Sequence, residues 1–141
     1  MIPKHILLGY DGSPDAEAAF EDALDLAAVA GARLSAVSVA TPPEPPGEVE
    51  TAAVIDAATQ HFEALFHTLH RRADERHVSL ETRVAVGHPA DQILKAAVST
   101  GADLIVVGHR GRSAIRDWVF GSTSRRIVAH APCSVLVVRS R

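Results

Sequence analysis

The chain has 141 residues, of which 47% are hydrophobic and 22% are charged, and its formal net charge at pH 7 is −3. This balance is typical of one folded domain and excludes a disordered or fibrous chain. It also argues against a general nucleic-acid binder, which usually carries a basic face, and no apolar run approaches the roughly 20 residues that span a bilayer.

The first predicted elements are a strand and a capped helix. The run His5–Gly9 is short and apolar, which indicates a buried strand. Ser13 can cap the helix that follows, with Pro14 in its first turn, where a missing N–H costs nothing. Gly31 is expected to end this helix, because glycine readily adopts the left-handed backbone that closes many helices.

The next predicted elements are a strand at residues 34–40, a proline-rich loop at 41–48 and a long helix at 49–76. The loop sequence TPPEPPGE cannot continue either regular structure. Apolar residues recur along the helix at the spacing of a single face. The face predicted to be buried consists of Val54, Ala58, Phe62, Leu65, Leu69 and Ala73.

The second half of the chain continues the alternation. A strand at Leu80–Val86 is followed by a helix that ends at Gly101, and apolar strands are predicted at 103–107 and Ser134–Val138. The last helix is predicted near Ser122–His130. The face of the helix before Gly101 that is expected to be buried consists of Ile93, Leu94, Ala97 and Val98.

This order of elements predicts an α/β fold with a parallel sheet and helices on both faces. The nearly unbroken apolar strands agree, because strands covered on both faces have no solvent side. We find no internal repeat or boundary and expect residues 1–141 to form a single domain. No signal-peptide cleavage site precedes Asp11, so we expect a cytoplasmic protein without membrane or nucleic-acid partners. Cys133, the one cysteine, excludes an intramolecular disulfide and is expected to be a buried structural thiol.

Two predicted strand ends carry the chemistry of an anion site. Ligands of open parallel sheets bind outside the carboxyl ends of the strands. Glycines let a backbone approach a phosphate, N–H groups at a helix start favour negative charge, and hydroxyls add donors. The candidate residues are Gly9, Tyr10 and Asp11 after the first strand, Gly108, His109, Arg110 and Gly111 after the fourth, and Gly121, Ser122, Thr123 and Ser124 at the last helix.

The spacing from Gly108 to Ser122 follows the pattern G-x2-G-x9-G-[ST]. With this pattern between its last two strands and Asp11 after its first, the chain resembles the ATP-binding branch of the universal stress protein family. The resemblance covers essentially the whole length. It includes the segments ILLGYDGSPDAEAA, VAVGHPADQIL and ADLIVVGHRGRSAIRDWVFGSTSRRIVAHAPCSVLVV.

The resemblance implies a three-layer α/β/α fold with strand order 3-2-1-4-5 and an ATP site. It assigns Asp11 to the adenosine part of the nucleotide and the backbone of Val39 to the adenine edge. It assigns the ribose and phosphates to Gly108, Gly111, Gly121, Ser122 and Thr123. Gly9 stands where some relatives carry proline, so the resemblance defines that wall of the site less closely.

The resemblance also implies a homodimer that pairs through the strand Ser134–Val138, whose apolar edge would otherwise favour aggregation. A Mg²⁺ or Mn²⁺ ion that bridges the nucleotide phosphates is compatible with the site, bound mainly through phosphates and water. His67, His70 and Asp74 share roughly one helical face, which fits either a metal site or an exposed helix surface.

Ordinary structural roles remain open for the same residues. Asp11 could cap a turn, Gly108 and Gly111 could be turn glycines, and Ser122 and Thr123 could cap the last helix. Three functions remain: a nucleotide-binding regulatory module that acts through a dimer or an unidentified partner, a slow ATPase with His109 as its base, and a nucleotide-free dimeric interaction protein. The chain lacks a Walker A lysine and a nucleophile elbow, which disfavours efficient catalysis.

Overall fold

The structure, a computed structural model, describes residues 1–110 and 121–140. Strands and helices alternate along the chain as predicted, and most boundaries agree with the predicted ones to within one residue. The elements are β1 (His5–Gly9), α1 (Pro14–Ala30), β2 (Arg33–Ala40), α2 (Glu48–Glu75), β3 (Leu80–Val86), α3 (Pro89–Thr100), β4 (Leu104–Gly108), α4 (Ser122–His130) and β5 (Ser134–Val138).

The five strands form one parallel sheet in the order β3-β2-β1-β4-β5. The predicted fold and strand order are therefore confirmed. The strands β1 and β4 are buried along their whole length, because helices cover both of their faces. Chain order runs outward from β1 to β2 and β3 on one side and through β4 to β5 on the other.

Each face of the sheet has its own hydrophobic core. Alternate residues of β1 take part in different cores, with Ile6 and Leu8 packed under α1 and α2 and Leu7 packed under α3 and α4. On the first face Phe20 of α1 is fully buried, and on the second Ile127 of α4 is fully buried. The predicted three layers are present.

The ends of α1 follow directly from the sequence. The Ser13 hydroxyl accepts a hydrogen bond from the N–H of Ala16 at 3.2 Å, which satisfies one of the unpaired donors of the first turn. Pro14 occupies the start of the helix, and Gly31 ends it with a φ of 67°. That left-handed conformation is costly for residues other than glycine.

The predicted inward faces of two helices are wrong in part. Val54 of α2 is 42% exposed, and the buried residues of that helix include Phe66, which was not predicted. In α3, Val98 is 70% exposed while Ile93 and Ala97 are buried. At 100° per residue Val98 lies about 140° around the helix from Ile93. Because the Ile93 side of α3 packs against the sheet, the side chain of Val98 faces solvent.

The first half of α2, residues 48–61, is poorly buried. No residue of this helix before Phe62 is buried, and Val49 is 81% exposed. The packed half of α2 begins where the helix reaches the sheet, with Phe62 and Leu69 in the core. No helix within residues 1–110 and 121–140 is both long and apolar enough to cross a membrane.

Candidate functional site

The central strands β1 and β4 end side by side at the carboxyl edge of the sheet. Their register pairs Leu8 with Val106, so Gly9 lies opposite Val107, and Gly108 extends β4 by one residue more. From this edge one connection leads to α1 on the first face, and the other leads to α4 on the opposite face. Divergence of this kind opens a crevice in which ligands of doubly wound sheets bind.

Gly108 lies between the first turns of these two helices. A Cβ atom on Gly108 would lie 2.8 Å from both the backbone carbon and the Cβ of Asp15, and 3.0 Å from the nitrogen of Ala16. The hydroxyl of Ser124, itself buried, donates a hydrogen bond to the Gly108 carbonyl at 2.5 Å. Close packing of α1 against the end of β4 therefore requires a glycine here whether or not a ligand binds.

The N-terminus of α4 presents backbone donors at the same edge. Gly121 is the N-cap residue with extended backbone angles and has no side chain to cap the helix. The first N–H to bond within the helix is that of Arg125, which donates to the Gly121 carbonyl at 2.9 Å. The N–H groups of an uncapped first turn and the positive end of the helix dipole favour an anion.

Two hydroxyls accompany this helix start. Ser122 is exposed and Thr123 is half-buried, so both differ from Ser124, which is buried under the end of β4. Of the three predicted hydroxyls, the structure thus gives Ser124 a structural bond to Gly108. Ser122 and Thr123 remain the candidates for donors to a bound anion.

His109 and Arg110 continue β4 into the glycine loop. The N–H of His109 donates to the Val138 carbonyl at 2.7 Å, and its carbonyl accepts from the N–H of Gly121 at 3.0 Å. The Nε2 atom of His109 lies 3.3 Å from a guanidinium nitrogen of Arg139. The His109 backbone therefore fixes the start of the loop, residue 110, close to the start of α4. Gly111, the other predicted glycine of this loop, lies outside the described residues.

Asp15 is the residue that the sequence interpretation missed. Its Oδ2 accepts the N–H of Arg110 at 3.0 Å, and its Oδ1 accepts the N–H and the hydroxyl of Ser140 at 2.9 and 2.5 Å. Burial acts to raise the pKa of Asp15, but the bonds from Ser140 and Arg110 outweigh burial and lower it. An acidic residue in the first turn of a helix indicates only dipole compensation, and no sequence signal reveals partners 95 and 125 positions away.

Asp11 and Gly12 form the turn that leads from β1 into α1. The Oδ1 of Asp11 accepts the N–H of Ser13 at 3.0 Å, an Asx turn that orients the carboxylate. Gly12 has a φ of 79°, a conformation that favours glycine, and a Cβ there would lie 3.0 Å from Leu65 of α2. Asp11 is half-buried at the edge that β1 shares with β4.

Tyr10 has a packing role in the structure. Its side chain is 3% exposed, and its hydroxyl donates to the carboxylate of Glu17 on α1. Burial and this hydrogen bond raise the pKa of the phenol. The Tyr10 N–H donates to the Val37 carbonyl, and its carbonyl accepts from the hydroxyl of Ser38. The predicted ligand contact of Tyr10 therefore competes with partners already held within the protein.

Val39 extends β2 beyond the end of β1. The last β1 partner of β2 is Val37, which pairs with Gly9 and whose carbonyl accepts the Tyr10 N–H at 3.0 Å. Backbone groups of a strand alternate between its two neighbours. The N–H and C=O of Val39 thus point toward the side of β1, but at a level of the sheet where the strand β1 has already ended. This is the orientation that the predicted adenine contact needs.

Gly9, the last residue of β1, lies on the α3 side of the sheet edge. A Cβ on Gly9 would lie 2.7 Å from the Cδ1 of Ile93 and 3.1 Å from the Cγ1 of Val107. Ile93 therefore fills the space that a larger residue would occupy at position 9. The nearer contact of Gly9 is the end of a flexible side chain, which can move to make room. The contacts of Gly108 include backbone atoms, which cannot move as easily.

Other combinations of reactive side chains lie elsewhere. Among the residues that the structure describes, no group of three or more His, Cys, Asp or Glu residues is arranged to hold a metal ion. His70 of the predicted helical face bonds to Thr82 of β3 at 2.9 Å. The Nε2 of His5 lies 2.7 Å from the Ser35 hydroxyl, but this pair is buried at the opposite, amino end of the sheet.

Cys133 is half-buried rather than buried as predicted. It lies just before β5, the last strand of the sheet, where packing on one side only is expected. Desolvation, and to a smaller extent the charge of Asp103, raise the pKa of its thiol. Both effects disfavour the reactive thiolate.

Comparison with known proteins identifies the family of this chain. The model described as "Universal stress protein family" matches residues 3–139. A universal stress protein of Thermus aquaticus is 38% identical over 146 residues, with 96% of this chain and 98% of that protein covered. The universal stress protein UspA of Lactobacillus plantarum has a TM-score of 0.89 and 28% identity, with 96% and 97% of the two chains covered.

Two less similar structures are complexes with nucleotides. A universal stress protein in complex with cAMP has a TM-score of 0.77 at 24% identity, with complete coverage of both chains. One from Archaeoglobus fulgidus in complex with dAMP has a TM-score of 0.70 at 19% identity, with 98% and 99% covered. At these identities the likeness shows that the fold is shared.

Proposed function

The chain belongs to the universal stress protein family, and we propose that it is a regulatory module that binds ATP or a close adenine nucleotide. The observation that carries this proposal is the arrangement around Gly108, where β4 ends between the first turns of α1 and α4. The N-terminus of α1 is already capped by the hydroxyl of Ser13, whereas α4 begins at a glycine. We therefore assign the phosphates to the start of α4.

The remaining contacts follow from the same crevice. We assign the adenosine part to Asp11 and the adenine edge to the backbone of Val39, which points past the end of β1. Ser122 and Thr123 would donate hydroxyls to the phosphates, together with the backbone of Gly111 and Gly121. The cAMP and dAMP complexes of two proteins with this fold support an adenine nucleotide as the ligand.

A divalent ion would join the site through the nucleotide. A Mg²⁺ or Mn²⁺ ion would be compatible with these residues and would be held mainly through the phosphates and water. The part of the chain that the structure describes contains no acidic cluster to hold such an ion independently. The ion would neutralise phosphate charge, while the protein supplies N–H and hydroxyl donors.

We infer that nucleotide occupancy is read through a second copy of the chain or another protein. The strand β5 lies at the edge of the sheet, and its residues Val135, Leu136 and Val137 are only half-buried. Pairing of this edge with that of a second copy would cover them and complete the backbone hydrogen bonds. We take residues 1–141 as one functional domain that acts in the cytoplasm.

A nucleotide-free interaction protein is the second candidate, and one observation favours it. Packing alone explains Gly108 and Ser124, because the first admits Asp15 and the second bonds to β4. Part of the glycine pattern would therefore be needed without any ligand. The slow ATPase is less favoured, since the Nε2 atom of its candidate base, His109, lies 3.3 Å from a guanidinium nitrogen of Arg139.

The deciding experiment is mass analysis of small molecules released from freshly purified, denatured protein, followed by titration with ATP and ADP. We expect stoichiometric adenine nucleotide or saturable binding, lost in Gly121→Val because a side chain there blocks approach to α4. Gly47→Val is the matched control, since Gly47 is also a helix N-cap glycine with extended backbone angles. An empty wild-type protein that ignores millimolar ATP would support the nucleotide-free candidate instead.

A further inference from the structure

The carboxylate of Asp15 bridges the start of the glycine loop and the C-terminal segment, residues 138–140. We propose that Asp15 is a positioning residue that couples this segment to the nucleotide site. This inference rests on the proposed function, since it names a regulatory connection of that site. It concerns a residue outside the G-x2-G-x9-G-[ST] pattern.

The bridge is built from buried groups. Asp15 is 3% exposed, and its two oxygens have different partners. Oδ2 accepts the N–H of Arg110, and Oδ1 accepts both donors of Ser140. Displacing either partner would leave a buried carboxylate short of donors, which is costly. Arg110 and Ser140 are therefore held at a fixed distance from each other.

The C-terminal segment contacts the loop at two further points. The carbonyl of Val138 accepts the N–H of His109 at 2.7 Å, and the guanidinium of Arg139 lies 3.3 Å from the His109 ring. Three successive residues thus contact either His109 directly or Arg110 through Asp15. Movement of this segment would displace the backbone that leaves β4.

The position of Asp15 is itself fixed by Gly108. The missing side chain of Gly108 lets the first turn of α1 lie against the end of β4, and only from there does the carboxylate reach Arg110. The segment that it bonds continues from β5, the proposed pairing edge. Because coupling between sites is reciprocal, whatever stabilises the bridge would raise nucleotide affinity, and bound nucleotide would stabilise the bridge.

Binding measurements on variants test the coupling. In Asp15→Ala we expect the Kd for ATP to rise about tenfold, within the range of mutations along a coupling network. Ser140→Ala, which removes only the hydroxyl, should have a smaller effect in the same direction. The double variant should bind no more weakly than Asp15→Ala alone, because both changes break one bridge.

Two controls separate positioning from general destabilisation. Asp22→Ala removes an exposed carboxylate from the same helix and should leave the Kd unchanged. Val78→Ala truncates a buried core residue beside the opposite end of the sheet and should lower stability while the Kd stays the same. An unchanged Kd in folded Asp15→Ala, or an equal loss in Val78→Ala at similar stability, would overturn the inference. If Asp15→Ala does not fold, Asp15→Asn and Ser140→Ala replace it.

Amide hydrogen exchange tests the bridge without nucleotide. We expect the Arg110 and Ser140 amides to exchange faster in Asp15→Ala than in wild type, and ATP to slow the Ser140 amide in wild type. If wild type binds no nucleotide, the proposed function fails, while the exchange of the nucleotide-free proteins still decides whether the bridge exists. Unchanged exchange at both amides in Asp15→Ala would overturn it.

Discussion

The hydroxyl of Ser124 donates a hydrogen bond to the carbonyl of Gly108 at 2.5 Å, across 16 positions of sequence. This bond ties the first turn of α4 to the end of β4 in a buried environment. Ser122, two positions earlier on the same helix, is exposed. Both serines lie in the first turn of α4, and we expect them to have separable roles, Ser124 in stability and Ser122 in binding.

Alanine at each serine should separate these roles. We expect Ser124→Ala to lower the free energy of unfolding by about 1–3 kcal/mol, because a buried carbonyl loses its donor. Ser122→Ala should leave stability unchanged and weaken ATP binding about threefold, as expected for one lost hydrogen bond. Urea unfolding and ATP titration of both variants measure the two effects. Equal stability losses would show that the serines do not differ.

Gly108 and Gly9 should tolerate a methyl group to different degrees. In Gly108→Ala the new Cβ would meet the backbone of Asp15, which cannot yield cheaply. In Gly9→Ala the nearest atom is the end of the Ile93 side chain, which can rotate. We expect thermal unfolding to show a loss of about 1–3 kcal/mol in Gly108→Ala and a smaller loss in Gly9→Ala. The reverse order would contradict the packing of Gly108 against Asp15 and of Gly9 against Ile93.

Acid should weaken the fold through Asp103. Hydrogen bonds from the N–H groups of Lys4 and His5 lower the pKa of this carboxyl below its ordinary value of 3.8, against the opposing effect of burial. The unfolded chain then binds more protons, so the stability contributed by Asp103 is present above its unfolded pKa and is lost as pH falls through the folded pKa. We expect Asp103→Asn to lose less stability than wild type between about pH 5 and pH 2.

The measurement is urea unfolding at successive pH values. Asp56→Asn, an exposed position on α2, serves as the control and should follow the wild-type pH profile. Parallel profiles for wild type and Asp103→Asn would rule out this contribution.

Proline substitutions should distinguish the two sides of β5. The Val138 carbonyl faces β4, where it accepts the His109 N–H, so by alternation Leu136 also faces β4 and Val137 faces outward. Val137→Pro removes an outward N–H and should yield a folded monomer if two copies pair here. Leu136→Pro removes a bond to β4 and should destabilise the fold. Sedimentation and circular dichroism check both results, and a persistent Val137→Pro dimer would exclude pairing along this edge.

Local signals in the sequence were sufficient for most of the fold. Apolar runs, Ser13 with Pro14, and the glycines that close α1 and α3 define the elements because these preferences act over a few residues. The strand order came from the resemblance to a family, since the sequence of one chain does not specify which strands become neighbours. Its confirmation places Asp11 and Gly108 at adjacent strand ends.

What the sequence could not predict depends on contacts between distant positions. Asp15 has the appearance of a dipole-compensating residue until the fold brings Arg110 and Ser140 to it. The packing role of Gly108 likewise depends on the approach of α1, which glycine spacing does not encode. Helical periodicity identified the faces of α2 and α3 only approximately, so Val98 was assigned to the core in error.

The exposed first half of α2 depends on the helix propensity of its own residues more than on tertiary packing. Residues 48–61 include four alanines, the residue with the highest intrinsic helix propensity. Intrinsic propensity, rather than packing in a hydrophobic core, therefore favours the helix here. Helices without packed faces are marginal in water. We therefore expect these turns to open more readily than the rest of the helix while the sheet stays folded. The loop at residues 41–47 leads from β2 directly into these turns, so opening of the first half of α2 would lengthen the connection between β2 and the packed part of the helix.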